Sequence, residues 1–310
     1  MPPRLYCPLP LQTGAEITLP AHAAKHAQVL RLQPGDAIEL FHGGLPDDAA
    51  VFEAAQSIVV RGTVASTAPT ADAAVATTGA PACTSGWFDA TITRMGRAEV
   101  SARIGLWHGP IGDSRIEVHI ACGMPANERM DWLVEKATEL GVASIQPLLT
   151  RRSVLRLSGE RAAKRVAHWQ AVAIAACEQS GRTAVPWVRP LLALEDFLRP
   201  PSGGTAQSSA KLASAGAVAD PQPARWLLSL QAAAQPLALA AQALGQASAG
   251  VPSSAAPAVW LLSGPEGGLE AAEEALAQQQ GWQPVSLGGH TLRAETAPVA
   301  ALAVLNMGRV

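Results

Sequence analysis

The apolar and polar positions divide the chain into a strand-rich first part and a second part in which strands and helices alternate. In the first part, short apolar runs between turn residues predict strands at residues 16–19, 37–41, 58–64 and 87–92. One short helix, predicted over residues 22–30, interrupts them. Strands this short, separated by frequent turn signals, suggest a small β-barrel over residues 1–104.

From about residue 114, segments whose apolar residues have the spacing of a strand alternate with segments whose apolar residues have the spacing of a helix. Strands are predicted at residues 115–122, 145–149, 225–230 and 258–262, and helices at residues 127–140, 159–177, 269–280 and 295–307. Asn127 is a suitable N-cap for the first of these helices, and Gly141 ends it. This alternation predicts a mostly parallel sheet covered on both faces, and therefore an α/β fold over residues 105–310.

Three segments interrupt this pattern with a composition rich in alanine, proline, serine, threonine or glycine. They span residues 65–86, 200–223 and 245–257. Each contains too few bulky apolar side chains to form a packed element. We interpret them as mobile loops inserted into the two domains.

Composition excludes some classes of protein. Only 15% of the 310 residues are charged and the net charge is -2, so the whole chain does not have the basic character typical of many nucleic-acid binders. The four cysteines show no metal or redox spacing, which favours free thiols in a reducing cytosol. No signal peptide or membrane span is predicted, so we expect a cytoplasmic protein without a membrane partner. His22 and His26 lie one helical turn apart, but no third ligand is spaced to join them, so no metal is expected.

Two glycine-rich loops near the C-terminus predict a small-ligand site. Gly264–Gly268 follows a predicted strand and precedes a helix, and Leu287–Thr296 repeats this arrangement. Neither loop has the Gly-Lys-Ser/Thr of a P-loop or the spacing of a dinucleotide fingerprint. Glu266 inside the first loop would repel a pyrophosphate, which favours a neutral or cationic ligand. A tight turn with a solvated Glu266 is the alternative for the first loop, but it does not explain two such loops.

The motifs of these loops resemble the C-terminal signature of the RsmE family, 16S ribosomal RNA uridine N3-methyltransferases of the SPOUT class. The motifs are Gly264-Pro-Glu-Gly-Gly268, Leu287-Gly288 and Leu292-Arg-Ala-Glu-Thr-Ala297. Earlier segments resemble the same family: His26–Leu32 with Gly35-Asp36, Glu135–Val142, Pro147 with Arg151–Val154, and Glu178–Arg182 followed by Val185-Pro186. The resemblance covers nearly the whole chain apart from the three insertions.

The resemblance implies a PUA-like barrel followed by an α/β domain with a C-terminal trefoil knot. It implies S-adenosylmethionine as cofactor, a homodimer, and RNA that reaches across the dimer interface. The expected reaction is methylation of N3 of a specific uridine in 16S ribosomal RNA of the small subunit. Two alternatives remain: a SPOUT enzyme that acts on another RNA, and a non-catalytic RNA-binding or ribosome assembly factor.

The resemblance also predicts which residues form the site. Uracil N3 carries a proton at neutral pH, so catalysis needs a base or a cation that stabilises the anion. Arg293 is predicted as that cation, and Glu178 and Glu266 are the possible bases, with Glu178 preferred as the catalytic carboxylate. In the alternative interpretation Arg293 binds Glu295 or a carbonyl, and Glu178 pairs with Arg182 one turn later. The predicted cofactor residues are Leu262, Ser263, Gly264, Pro265, Glu266, Gly267, Gly268, Leu287, Gly288, Leu292, Glu295 and Thr296.

RNA contact is predicted to depend mainly on arginine. The predicted RNA-binding residues are Arg4, Lys25, Arg31, Arg151, Arg152 and Arg182. Between residues 151 and 165 six basic side chains accompany one acid, which suggests a local phosphate-binding patch. Arg31 could instead cap the short helix. The chain departs from the family pattern at Gly289-His290-Thr291, which removes one basic residue, and at Leu269-Glu270, so side-chain contacts there are less predictable.

Overall fold

The computed structural model describes residues 2–44, 86–97, 99–110, 116–126, 128–199, 223–247 and 257–307. The chain forms two compact units, one of residues 1–112 and 173–185, the other of residues 113–172 and 186–310. The strand predicted at 58–64, the N-cap predicted at Asn127 and most of the three insertions lie outside the described residues. In the described parts of the chain, no helix is long and apolar enough to cross a membrane.

In its described residues, the first unit contains a five-stranded sheet, the short helix α1 and the last turns of a long helix from later in the chain. The strands pair in the order β1-β3-β4-β5-β2, and only the β1–β3 pairing is parallel. The elements are β1 (Arg4–Tyr6), β2 (Glu16–Thr18), α1 (Ala21–Val29), β3 (Ala37–Phe41), β4 (Trp87–Met95) and β5 (Val100–His108). Alternate positions of β5, namely Val100, Ala102 and Ile104, are buried in the core of this unit.

Strands β1 and β5 were not predicted from the sequence. The first is only three residues long, and the second buries a small alanine between its larger apolar residues, which weakens the signal of alternation. Strand β5 also continues to His108, four residues beyond the expected end of the first domain at residue 104.

The described residues of the second unit form eight strands, and every pairing between these strands is parallel. Seven follow the order β11-β13-β10-β12-β6-β7-β8, and β9 pairs with β7. The strands are β6 (Glu117–Gly123), β7 (Ser144–Leu149), β8 (Trp187–Val188), β9 (Leu192–Ala193), β10 (Ala224–Leu228), β11 (Gln235–Pro236), β12 (Ala258–Ser263) and β13 (Gln283–Ser286). The predicted α/β fold with a mostly parallel sheet is therefore confirmed.

Six helices accompany this sheet in the described residues. They are α2 (Glu128–Glu139), α3 (Gly159–Ser180), α4 (Leu194–Leu198), α5 (Leu237–Ala247), α6 (Ala271–Gln279) and α7 (Thr296–Met307). The last turns of α3 belong to the first unit. Helix α2 buries Met130, Leu133, Val134 and Ala137 on one face, as its apolar spacing predicts.

Helix α5 corrects the prediction for the third insertion, which was expected to begin as a loop at Gly245. The helix instead includes residues 245–247. Alanine is the best helix former, but it contributes little to an apolar stripe, so an alanine-rich helix resembles a low-complexity loop in sequence. In the first turn of α5, Leu237 and Ala240 are buried.

Candidate functional site

The glycine-rich loops lie at one edge of the parallel sheet. Strands β13, β10 and β12 are neighbours and all run in the same direction, so their carboxyl ends meet at that edge. The segments that follow these three strands line an open cleft of about 310 Å³, which we call the first cleft. Clefts at the carboxyl edge of parallel sheets are the usual ligand sites of this fold class.

The backbone of the first cleft depends on glycine at particular positions. A Cβ atom at Gly264 would lie 2.6 Å from the backbone nitrogen of Leu269, closer than van der Waals contact permits. Gly268 and Gly288 have φ angles of +69° and +105°, in the region that favours glycine. Main chain therefore forms this wall of the cleft. A side chain at Gly264 would clash with it, and a side chain at Gly268 or Gly288 would strain it.

Several polar groups of the first cleft have fixed partners. Glu266 accepts hydrogen bonds from the backbone N–H of Ala126 at 2.8 Å and from Nη1 of Arg129 at 3.2 Å. Arg152 Nη1 donates to the carbonyl oxygen of Gly267 at 2.7 Å. The hydroxyl oxygen of Ser263, in contrast, is buried and has no hydrogen-bond partner among the described residues. An unpartnered buried hydroxyl in a cleft wall is a place where a ligand can supply the missing hydrogen bond.

A second cleft, of about 420 Å³, shares a wall with the first. It is lined by Glu128, Arg129, Trp132, Arg293, Glu295 and Thr296. Leu292 and Ala294 line the first cleft, whereas Arg293 and Glu295, which alternate with them, line the second. The segment of residues 292–296 therefore contributes side chains to both clefts.

Glu295 is the most unusual residue of the second cleft. Its side chain is only 8% exposed, and its Oε2 atom has no hydrogen-bond partner among the described residues. Its Oε1 atom lies 3.9 Å from Nε of Arg129 and 4.0 Å from Nη1 of Arg293. These distances give electrostatic attraction but exceed those of good hydrogen bonds.

The predicted cofactor residues divide between the two clefts. Nine line the first cleft: Ser263, Gly264, Pro265, Glu266, Gly267, Gly268, Leu287, Gly288 and Leu292. Leu262 is fully buried in the core beneath it. Glu295 and Thr296 line the second cleft together with Arg293, whose side chain is 74% exposed. The alternative contact between Arg293 and Glu295 is thus present as a loose ion pair.

Glu178 belongs to the first unit and not to the set of residues that line either cleft. Its Oε1 accepts a hydrogen bond from the backbone N–H of Tyr6 at 2.9 Å, and its Oε2 lies 3.0 Å from Nδ1 of His26. Burial raises the pKa of Glu178 above its ordinary value, and these two contacts oppose that rise. The carboxylate therefore links β1 and α1 to the end of α3, which is a structural role.

The predicted RNA-binding residues have different surroundings. Arg4 is buried; its Nε lies 3.0 Å from Oε2 of Glu39, and its Nη1 donates a hydrogen bond to the carbonyl of Gly181. It therefore stabilises the interior of the first unit, and little of its surface is accessible to RNA. Lys25 and Arg31 are exposed. Arg31 has a φ angle of +56° directly after α1, which agrees with the alternative that it ends this helix.

The other three predicted RNA-binding residues retain accessible surface. Arg151 is 64% exposed and lies 3.8 Å from Oε1 of Glu195. Arg152 is exposed and lines the first cleft, and Arg182 is half-buried in the first unit. Of these three residues, Arg152 lines the first cleft, whereas Arg151 and Arg182 line neither of the two clefts.

Several site residues were not predicted from the sequence. Arg129 and Trp132 come from α2, far earlier in the sequence than the two loops, and Arg129 lies 137 residues before Glu266, to which it binds; no local motif marks either residue. Glu273 accepts the backbone N–H of Arg151 at 2.8 Å and forms a capping box with Glu270 at the start of α6. The Glu270–Glu273 spacing was a signal for this cap, because a residue with a side-chain oxygen precedes a glutamate by three positions.

Comparisons with known proteins agree with this geometry. Residues 112–306 match the family model of an RNA methyltransferase domain. A ribosomal RNA small subunit methyltransferase E from Bacillus subtilis is 29% identical over 227 residues, which cover 72% of this chain and 79% of that protein. One from Synechocystis is 30% identical over 191 residues, which cover 62% of this chain and 53% of that protein.

Solved structures are similar over the full length of the chain. The crystal structure of a ribosomal RNA small subunit methyltransferase E from Neisseria gonorrhoeae, bound to S-adenosyl methionine, matches with a TM-score of 0.69 at 27% identity. The match covers 99% of this chain and 98% of that one.

Proposed function

The chain belongs to the RNA methyltransferase domain family, and from that premise we propose that it transfers a methyl group from S-adenosylmethionine to N3 of a uridine in 16S ribosomal RNA. The resemblance to the RsmE family is confirmed by relatives and structures of that name. The observation that carries the proposal is the first cleft, whose backbone walls occupy the carboxyl edge of the sheet within the matched residues.

The residues of the first cleft fit S-adenosylmethionine. When bound, this cofactor supplies a methyl group activated by a cationic sulfonium. The cleft is lined by two carboxylates, Glu266 and Glu274, and by one guanidinium, Arg152, which donates to the carbonyl of Gly267, so the charge of its lining suits a cation better than a pyrophosphate. Its backbone groups and the unpartnered hydroxyl of Ser263 supply hydrogen bonds, and its leucines exclude water from the apolar parts of the ligand.

Arg293 is proposed to stabilise the negative charge that develops on the uracil ring oxygens when N3 loses its proton. Its side chain is 74% exposed and lines the second cleft, while its neighbours Leu292 and Ala294 line the first. A guanidinium held beside a developing anion lowers the barrier most when it is positioned in advance. The loose contact with Glu295 leaves its donors available for substrate.

RNA binding is proposed to use the exposed arginine and lysine side chains of each unit. Lys25 and Arg31 serve the first unit, and Arg151 and Arg152 serve the second. Phosphate contacts of this kind give affinity and orientation without sequence specificity. The choice of one uridine then requires contacts to bases.

The finer features of the fold and assembly are also proposed. The family resemblance supports a PUA-like barrel for the first unit, a trefoil knot in the second and a homodimer that binds RNA across its interface. The strand order of the second unit is compatible with this proposal, since β10, β12 and β13 are neighbours although long segments separate them in sequence. Chemical crosslinking between two copies of the chain and a measurement of the molar mass in solution are direct tests of the dimer.

The decisive experiment is deletion of the gene followed by mapping of methylated uridines in small-subunit ribosomal RNA. We expect one 3-methyluridine to disappear and to return when the wild-type gene is restored. Persistence of every 3-methyluridine in 16S RNA, with loss of a methyl group in another RNA, would reassign the enzyme to that RNA. Failure of the purified protein to bind S-adenosylmethionine in calorimetry would instead point to a non-catalytic RNA-binding factor.

A further inference from the structure

The turn after β7, residues Thr150 to Ser153, carries two exposed arginines on a buried base, and we call it the arginine turn. Thr150 and Ser153 are 3% and 5% exposed, and the Ser153 hydroxyl oxygen accepts the backbone N–H of Thr150 at 3.0 Å. The backbone N–H of Ser153 donates to the carbonyl of Thr150 at 3.2 Å. Arg151 and Arg152 lie between them and are exposed. The backbone of both arginines is therefore held in place while their side chains reach solvent.

The side chain of Glu273 joins this turn to the loop Gly264–Gly268, which we call the glycine loop. Glu273 is 3% exposed, and its Oε1 accepts the backbone N–H of Arg151 at 2.8 Å. Its Oε2 accepts the backbone N–H of Glu270, at the start of α6, also at 2.8 Å. One buried carboxylate thus uses both oxygens to connect two chain segments that lie 122 residues apart.

The arginine turn and the glycine loop also meet at the end of β6. A Cβ atom at Gly123, the last residue of β6, would lie 2.7 Å from the backbone nitrogen of Pro265 and 3.1 Å from Cγ2 of Thr150. The absence of a side chain at Gly123 therefore lets both segments pack closely at the same point.

Arg152 makes the third connection between the arginine turn and the glycine loop. Its Nη1 donates to the carbonyl of Gly267 at 2.7 Å, and its Cδ would lie 3.2 Å from a Cβ atom at Gly267. Among the described residues its guanidinium makes no other hydrogen bond or ion pair. A guanidinium has five N–H donors in one plane, so most of them remain available to an acceptor from solvent. Phosphate oxygens are acceptors that this planar fork binds with two parallel hydrogen bonds.

We infer that Glu273 is a positioning residue that holds Arg152 where its guanidinium binds both the Gly267 carbonyl and a phosphate of the RNA. The inference rests on the function proposed above and adds a link between the binding of the two substrates. Gly267 lines the first cleft, so a bound cofactor fixes the carbonyl on which Arg152 docks. A docked guanidinium loses less side-chain freedom when it binds phosphate than one that moves freely in solvent. Each substrate therefore strengthens the binding of the other, by the same factor in both directions.

The link is measured as the affinity for 16S ribosomal RNA transcribed in vitro, with and without saturating S-adenosylhomocysteine. Fluorescence anisotropy should show that wild type binds the RNA about fivefold or more tightly when this demethylated cofactor is present. Arg152→Lys keeps the positive charge but loses the planar fork that serves two acceptors. Its RNA affinity should therefore be the same with and without the cofactor. Arg199→Lys, at an exposed arginine that pairs with Asp196, is the matched control and should keep the difference.

The positioning role of Glu273 is tested by Glu273→Gln. An amide has a single acceptor oxygen, so one of the two backbone N–H groups loses its partner and the arginine turn is released. We expect this variant to lose the cofactor-dependent difference in RNA affinity. Glu270→Ala is the matched control, because it removes the other half of the capping box of α6 but leaves the contact with Arg151 intact.

The double variant Arg152→Lys/Glu273→Gln separates positioning from a general structural role. If Glu273 acts through the Arg152 guanidinium, the double variant should bind RNA and cofactor no more weakly than Arg152→Lys alone. A merely structural carboxylate would instead lower both affinities by the same factor in either background. If Glu273→Gln does not fold, Glu273→Asp, whose carboxylate is one methylene shorter, replaces it in both comparisons.

Four results would overturn the inference. They are equal RNA affinity with and without cofactor in an active wild-type enzyme, a full difference in Arg152→Lys, a loss in Glu270→Ala as large as that in Glu273→Gln, and additive losses in the double variant. Failure of the proposed function is distinguishable, because the wild-type enzyme itself would then transfer no methyl group to 16S RNA.

Discussion

The two clefts of the second unit are built on opposite principles, although they share one backbone segment. The first is formed mainly by main chain at three strand ends, with Gly264, Gly268 and Gly288 at its turns. The second is formed mainly by charged and aromatic side chains from α2 and from the segment before α7. On the proposed function, the comparison predicts that cofactor binding depends on backbone shape and that the chemistry on the RNA depends on a few side chains.

Arg293→Ala gives the sharpest test of this division, because Arg293 lines only the second cleft. Removal of a donor that stabilises developing charge lowers kcat about 10²- to 10³-fold in comparable sites. We expect such a loss in methyl transfer with nearly unchanged cofactor affinity, measured by single-turnover kinetics and calorimetry. An equal loss in both would mean that Arg293 holds the cofactor. Arg225→Ala is the control, since Arg225 lies at the amino end of β10.

Gly264→Ala should produce the next largest effect, and this effect should be on cofactor affinity and not on the rate of methyl transfer. The new Cβ would lie 2.6 Å from the nitrogen of Leu269, so the loop must shift. Overpacking of this kind costs about 1–3 kcal/mol, which corresponds to about 5- to 150-fold weaker cofactor binding if the strain appears in the bound loop. Gly289→Ala is the matched control, because an added Cβ there meets no atom within 4 Å. Equal affinities for the two variants would contradict a cleft shaped by its main chain.

The same division explains how much was predictable from sequence. Glycines in a loop after an apolar strand mark a required backbone shape locally, so nine predicted residues line the first cleft. Arg129 and Trp132 reach the second cleft only through the tertiary fold, and nothing in the sequence around them differs from an ordinary amphipathic helix. Glu295 was predicted to bind the cofactor because it belongs to the same motif; in the structure it lines the second cleft, and its role stays a prediction.

The fold shows a similar limit. The strands that end at the first cleft, β10 and β12, were predicted because their apolar runs are long enough to recognise. The short β13 and the alanine-rich α5 were not, since neither has a strong apolar pattern and each is stabilised by neighbours distant in sequence. Arg4 was predicted to contact RNA because charge is visible in sequence and burial is not.

Glu266→Gln examines the side chain that links the two clefts. Glu266 lines the first cleft and binds Arg129, which lines the second. The glutamine can still accept from the N–H of Ala126 but loses the ion pair, which is partly exposed and worth about 1 kcal/mol or less. We expect a drop in cofactor affinity of no more than about fivefold, measured by calorimetry. A larger loss would show that Glu266 contacts the cofactor directly. Glu160→Gln, which removes an exposed pair with Lys164, is the control.

Arg151→Gln should have the smallest effect, because Arg151 lines neither cleft and is 64% exposed. If it contacts a phosphate, RNA affinity should fall by a similar factor for every RNA sequence, and the slope of log affinity against log salt should decrease by about 1. Fluorescence anisotropy at several salt concentrations measures both quantities. Arg199→Gln is the matched control, since Arg199 is equally exposed and pairs with Asp196. An unchanged slope would remove Arg151 from the RNA surface, while a change confined to one RNA sequence would make it a base contact.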